Sequence, residues 1–167
     1  MILWLVGMMG SGKTTVGRAL ATRRSASFLD TDQMVEAKSG LSVTRIFEVE
    51  GETGFRQRES VAVLAAATET SAVVATGGGV VTRPENVSAM QGSGVVIWLK
   101  ASVETLANRL EGVTDRPLLA WSDRQATLAI LLAEREGLYA TAAEFTIDTN
   151  SLSPAEITTL AEAMWTG

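Results

Sequence analysis

The chain has 167 residues, 46% of them hydrophobic, and a net charge of −5, which suits one domain over 1–167 with a full-sized core. The acidic balance argues against a nucleic-acid partner, which calls for a basic surface. Neither cysteine nor histidine occurs, so disulfides, Cys-based zinc sites, thiol catalysis and a histidine general base are excluded, and any proton acceptor must be a carboxylate, a lysine or the substrate itself.

A short apolar run over 2–6 reads as the first strand and turns directly into Gly7-Met8-Met9-Gly10-Ser11-Gly12-Lys13-Thr14. Two glycines with four residues between them, followed by Lys and Thr, fit the phosphate-loop pattern, and the helix-like stretch from Thr14 onward supplies the context it requires. Gly7, Gly10 and Gly12 let the backbone wrap closely around phosphate oxygens. The amides of Gly10, Ser11, Gly12, Lys13, Thr14 and Thr15 then point at an anion at the positive end of a helix. Lys13 adds a cation for the β/γ-phosphates, and the Thr14 hydroxyl can enter the shell of Mg²⁺. An NTP-binding chain follows. The N-terminal run lacks the basic flank of a signal peptide and no run reaches the ~18 apolar residues of a membrane span. The expectation is a cytoplasmic monomer with no membrane partner.

Further strands are expected over 28–30, 72–75, 95–99 and 145–148. Helices are expected over 14–23, 33–38, 43–50, 52–70, 84–91, 103–111, 124–141 and 154–165, the last opening on a Ser153-Pro154-Ala155-Glu156 capping box. Short continuous Val/Ile/Leu runs alternating with helices predict a parallel α/β sheet covered on both faces. Ligands then belong at the carboxyl ends of the strands, which singles out Asp30-Thr31-Asp32 and Gly77-Gly78-Gly79. Asp30 and Asp32, two apart in extended chain, project to one side and can serve a metal and a substrate hydroxyl; alternatively Asp32 caps the helix starting at Gln33. The strands over 72–76 and 95–100 end in no acid, so this pair is the available carboxylate source for a metal. With histidine absent, Asp32 is the candidate to orient or deprotonate an attacking hydroxyl.

Three successive glycines imply φ > 0 or a close approach at 77–79; a tight turn and packing against a small substrate are both open. Arg56 shares a helical face with Glu59 and reads either as a surface ion pair or as a site. Leu128, Leu131, Leu132 and Arg135 fall on one helical face, and a guanidinium ending an apolar stripe needs an anionic partner or a route to water. The polar stretch over 112–123 holds Arg116 beside Pro117 and reads as a lid; a cation there can stabilise a phosphoryl transition state.

Taken as a set, these motifs resemble shikimate kinase. They are the phosphate loop, Leu29-Asp30-Thr31-Asp32, Phe55-Arg56-Gln57-Arg58-Glu59, Thr76-Gly77-Gly78-Gly79, Asp115-Arg116-Pro117-Leu118-Leu119 and Arg135-Glu136-Gly137-Leu138-Tyr139, and the resemblance covers nearly the whole chain. It implies a P-loop, nucleoside-monophosphate-kinase-like three-layer α/β sandwich with a five-stranded parallel sheet in the order 2-3-1-4-5. A lid at about 112–123 and substrate-binding helices at about 32–61 would flank it. It implies transfer of the γ-phosphoryl of MgATP to the 3-hydroxyl of shikimate, within aromatic amino-acid and chorismate biosynthesis. Asp30 and Thr14 would support Mg²⁺, and Asp32 would position the attacking hydroxyl. Arg56 and Arg135 would clamp the substrate carboxylate beside Gly77–Gly79. Val43, Phe47 and Phe55 would form the apolar wall, Arg109 would lie near adenine, and Lys13 and Arg116 would act on the phosphates. Leu152 departs from the pattern, standing where many relatives place a basic residue near adenine. Gluconate kinase and a non-catalytic ATP-binding module are the rival readings; the Asn-Lys-x-Asp segment of guanine-reading switches is missing.

Overall fold

The computed structural model describes residues 1–111 and 123–165. Arg116, and all of the expected lid except Asp123, lie outside the described residues.

The first strand, β1 (Ile2–Val6), is buried at every position. Its side chains alternate between faces, with Ile2, Trp4 and Val6 packing on one side and Leu3 and Leu5 on the other, as the two-residue period of a strand dictates. A run apolar on both faces belongs in the middle of a parallel sheet, and that is where β1 lies. Helix α1 (Lys13–Arg24) leads to β2 (Ser27–Asp30), α2 (Thr31–Ser39) and α3 (Val43–Ala66), then to β3 (Ala72–Ala75) and a one-turn 3-10 helix, Val80–Thr82. Helix α4 (Pro84–Ser93) precedes β4 (Gly94–Lys100), α5 (Val103–Arg109), α6 (Arg124–Ala142), β5 (Phe145–Asp148) and α7 (Pro154–Met164). Among the described residues five strands form one sheet, in the order β2-β3-β1-β4-β5, and every neighbouring pair is parallel. This is the expected topology.

Two cores sandwich the sheet. One holds Trp4, Val74, Trp98, Leu106, Leu128 and Tyr139, and the other holds Leu3, Leu5, Leu20, Ile97, Leu99, Ile157 and Ala161. Leu3 and Leu5, at 0% exposure, each contribute on the order of 1.5–3 kcal/mol by burial. A third cluster of Val35, Ile46, Phe55 and Ala62 joins α2 to α3. It holds together the helical segment expected to bind substrate.

Two local expectations change, and one is met. Helix α2 begins at Thr31 rather than 33, and its N-cap is Asp30, whose carboxylate accepts from the amides of Asp32 and Gln33. Asp32 is therefore helical and not the cap. The helices expected over 43–50 and 52–70 are found as the two arms of α3, separated by a kink at Gly51, which sits at the non-helical φ 71°, ψ −177°; a positive φ of this kind is open to glycine. The second of them stops at Ala66 rather than 70. The capping box at Ser153 and Glu156 is formed as expected, with Pro154 in the first turn.

Candidate active site

The carboxyl end of β1 runs into a loop whose glycines take up left-handed backbone, at φ 143° for Gly7, 82° for Gly10 and 97° for Gly12. A Cβ on Gly7 would lie 2.6 Å from the Leu99 carbonyl oxygen, whereas one on Gly12 would meet nothing within 4 Å. Gly12 thus faces open space, and as the N-cap of α1 it offers no side chain to the first-turn amides. Amides at a helix N-terminus are suited to an anionic ligand. Lys13 is buried, and its Nζ donates to the carbonyls of Gly7 and Met8, each at 2.8 Å, which folds the ammonium back across the loop.

Thr14 Oγ1 donates to Asp30 Oδ2 at 3.2 Å, while Asp30 Oδ1 accepts the amides of Asp32 at 3.0 Å and Gln33 at 3.3 Å. One oxygen of Asp30 caps a helix and the other faces Thr14 at the mouth of the cleft. A hydroxyl and a carboxylate beside an anion cradle are hard oxygen donors of the kind Mg²⁺ takes, with phosphate and water completing its shell.

The cleft beyond this loop measures ≈ 760 Å³ and is lined by residues 9–16, Asp30, Asp32, Thr76, Gly77, Gly78 and Arg109, ending at an apolar wall of Leu110, Leu152, Pro154 and Ile157. Arg109 is anchored on that wall, donating to the Thr149 carbonyl at 2.8 Å and its Oγ1 at 3.1 Å. A recess of ≈ 60 Å³ adjoins the cleft. It shares Met9, Asp32, Val43, Gly77 and Gly78 with it and adds Phe47, Phe55, Arg56, Gly79 and Arg135. Residues 32, 56 and 135 therefore border one cavity continuous with the phosphate loop. Phe47 and Phe55 pack at 4.9 Å between centroids and form its apolar side.

Arg56 is no surface ion pair. It is 7% exposed and donates to Glu59, itself 0% exposed, at 2.8 Å, and to Glu52 at 3.3 Å. Desolvation opposes its charge, but Glu59 and then Glu52 outweigh that, so its pKa rises. Burial pushes the Glu59 carboxyl up, Arg56 pulls against it, and Asp32 adds a further upward push. Arg135, 4% exposed, is buried as well, and its Nη1 has no hydrogen-bond partner among the described residues. A buried guanidinium nitrogen bordering a recess without a partner is a place for an anion.

The glycine turn is explained by proximity. None of Gly77, Gly78 and Gly79 has a left-handed φ. A Cβ on Gly77 would lie 2.5 Å from Glu59 Oε1, one on Gly78 3.3 Å from Arg135 Nη1, and one on Gly79 2.1 Å from Arg56 Nη2. The chain must pass against the charged side chains, and only glycine leaves them room. The Gly77 amide is held by Thr31 Oγ1 at 3.1 Å. Sequence reasoning missed Thr31 and Thr149, both buried supports, and it read Tyr139 only as part of a motif. Tyr139 lies four residues after Arg135 on α6, a spacing that places the two on one face.

A family model described as shikimate kinase matches residues 9–164. The shikimate kinase of Bordetella pertussis is 46% identical over 155 residues, covering 93% of this chain and 74% of that protein. The shikimate kinase of Symbiobacterium thermophilum is 48% identical over 155 residues, covering 92% and 89%. The solved structure of shikimate kinase from Acinetobacter baumannii in complex with shikimate superposes with a TM-score of 0.91 at 39% identity, covering 98% of this chain and 89% of that one.

Proposed function

This chain belongs to the shikimate kinase family, and from that premise we propose that it transfers the γ-phosphoryl group of MgATP to the 3-hydroxyl of shikimate, giving shikimate 3-phosphate and ADP. The observation that carries the proposal is the convergence of Asp32, Arg56 and Arg135 on a recess that opens into the phosphate-loop cleft. A small acid with hydroxyl groups suits such a recess: guanidinium groups for its carboxylate, a carboxylate for its hydroxyls, and phenyl rings for its carbon skeleton.

In this reading the amides from Gly10 to Thr15 and the Lys13 ammonium bind the β- and γ-phosphates. Thr14 and Asp30 hold Mg²⁺, which when bound neutralises charge on the phosphate oxygens. The adenine lies against Arg109, Leu152, Pro154 and Ile157. Arg56 and Arg135 grip the acceptor carboxylate in charge-assisted hydrogen bonds. That grip leaves the opposite side of the ring facing Asp32 and the nucleotide cleft. Asp32 accepts a hydrogen bond from the attacking hydroxyl and takes its proton as the oxygen bonds to phosphorus and the bond to ADP breaks. Arg116, outside the described residues, would stabilise charge on the transferred group. Little covalent work falls to the protein, so positioning and charge stabilisation carry the rate. The enzyme works as a cytoplasmic monomer in this account, and sedimentation at micromolar concentration checks the second half of that statement.

The test is ADP release in the presence of shikimate, gluconate and nucleoside monophosphates, each with saturating ATP and Mg²⁺. Shikimate-dependent release is expected; turnover of gluconate alone would end the assignment.

A further inference from the structure

Tyr139 does not border the recess, yet it touches two of its walls from behind. The side chain is 0% exposed, and its ring stacks on Trp98 with centroids 5.6 Å apart, which fixes it against the central sheet. Its hydroxyl donates to the Gly78 carbonyl, and the Arg135 guanidinium acts on the phenol itself, favouring its ionised form. Burial pushes the phenol up to about 12, with Arg135 pulling the other way, so the group keeps its proton and remains a donor to Gly78 near neutral pH. The glycine turn and the guanidinium are already close, since a Cβ on Gly78 would approach Arg135 Nη1 to 3.3 Å.

We propose that Tyr139 is a positioning residue for the acceptor carboxylate: its hydroxyl, between the Gly78 carbonyl and the Arg135 guanidinium, sets the distance between the turn after β3 and the cation on α6. This rests on the reading of the recess as the carboxylate end of the acceptor site. A phenylalanine at 139 keeps the ring and its stacking. It removes the hydroxyl that joins the two walls, leaving a half-buried carbonyl without that partner and the guanidinium without that contact.

Tyr139→Phe is expected to raise the shikimate KM about 10-fold or more, since displacements near 1 Å cost up to about 100-fold. The ATP KM should stay within about twofold of wild type and kcat within about threefold, whereas a residue that merely supported the fold would lower the active fraction without moving KM. In a double-mutant cycle on shikimate dissociation constants, Tyr139→Phe should add less than about twofold in an Arg135→Ala background, because coupled residues are non-additive. The chain has a single tyrosine, so growth on 3-fluorotyrosine labels position 139 alone and gives a readout that needs no substitution elsewhere. One ¹⁹F resonance should shift on adding shikimate, saturating with its affinity, and stay in place on adding ADP. A KM within twofold of wild type in Tyr139→Phe, additive losses in the cycle, or a resonance indifferent to shikimate would each overturn the proposal. A wild-type enzyme without shikimate turnover would instead sink the acceptor assignment and this proposal together.

Discussion

Gly79→Ala offers the sharpest test of the acceptor recess, because the structure says what one methyl group must displace. The new Cβ would lie 2.1 Å from Arg56 Nη2, 2.3 Å from Cζ and 2.5 Å from Nη1. Ordinary contact begins near 3.4 Å, so the nearest guanidinium nitrogen has to retreat by about 1.3 Å, beyond the 1 Å misplacement that can cost about 100-fold. The backbone does not resist, because Gly79 sits at φ −93°, ψ 7°, a region open to alanine. The side chain does, because Arg56 is held by Glu59 at 2.8 Å inside the fold. The methyl therefore evicts the guanidinium from its pairing and leaves the fold in place. Shikimate kcat/KM should fall by about 100-fold, or about 2.7 kcal/mol of transition-state stabilisation, chiefly through KM. Lys13, Thr14 and the loop amides lie elsewhere in the cleft, so ADP affinity by calorimetry should be unchanged. The assay is steady-state turnover against shikimate at saturating ATP, with circular dichroism to confirm folding. A folded variant whose shikimate KM is within twofold of wild type would refute the placement of Arg56 against the substrate.

Arg135→Ala removes a buried cation and should raise the shikimate KM on the order of 100-fold while sparing the ATP KM; an unmoved shikimate KM would take it out of the site. Asp32→Asn should lower kcat by roughly 10²–10⁴ with the melting temperature retained, and an undiminished kcat would mean that Asp32 is not the proton acceptor. Ser153→Ala opens the capping box of α7 and should lower the melting temperature at neutral pH by about 2–4 °C, read by calorimetry. Hydrogen bonds from the Ser153 backbone and side chain lower the Glu156 pKa below 4.5. A depressed carboxylate stabilises fully above its unfolded pKa and less as pH falls through the folded one. The gap between wild type and Ser153→Ala should therefore narrow below pH 4.5.

What the sequence disclosed follows the range of the interactions involved. The strands were legible because β1 and β3 are apolar at every position, which only a strand buried on both faces requires. Arg135 was legible as a charge misplaced on an apolar stripe. Asp30 and Asp32 were legible as a pair but not by role. Two acids within three positions compete for one cap, and the outcome depended on α2 starting at Thr31, which no local propensity decides. The cost of Gly77–Gly79 was visible, but its cause was not, since close approach involves Glu59, Arg135 and Arg56, each brought up from another element. The anchoring of Arg109 on Thr149 spans 40 residues and leaves no mark near either one.

The charges around the recess also explain a division of labour between its two arginines. A buried ion pair is a poor way to stabilise a fold, because desolvation offsets most of its attraction. The Arg56–Glu59 pair is therefore better understood as part of the site than as a support for α3. Glu59 interacts with Arg56, Asp32 and Arg135 together, and without it two guanidinium groups would face each other across an empty cavity. By bonding directly to Arg56 alone, it leaves the two cations unequal. Arg56 arrives already paired and rigid, suited to shaping the recess. Arg135 keeps Nη1 without a partner among the described residues, suited to capturing the carboxylate. In the proposed reading, this inequality suits an acceptor whose carboxylate is held while Asp32 addresses a neutral hydroxyl.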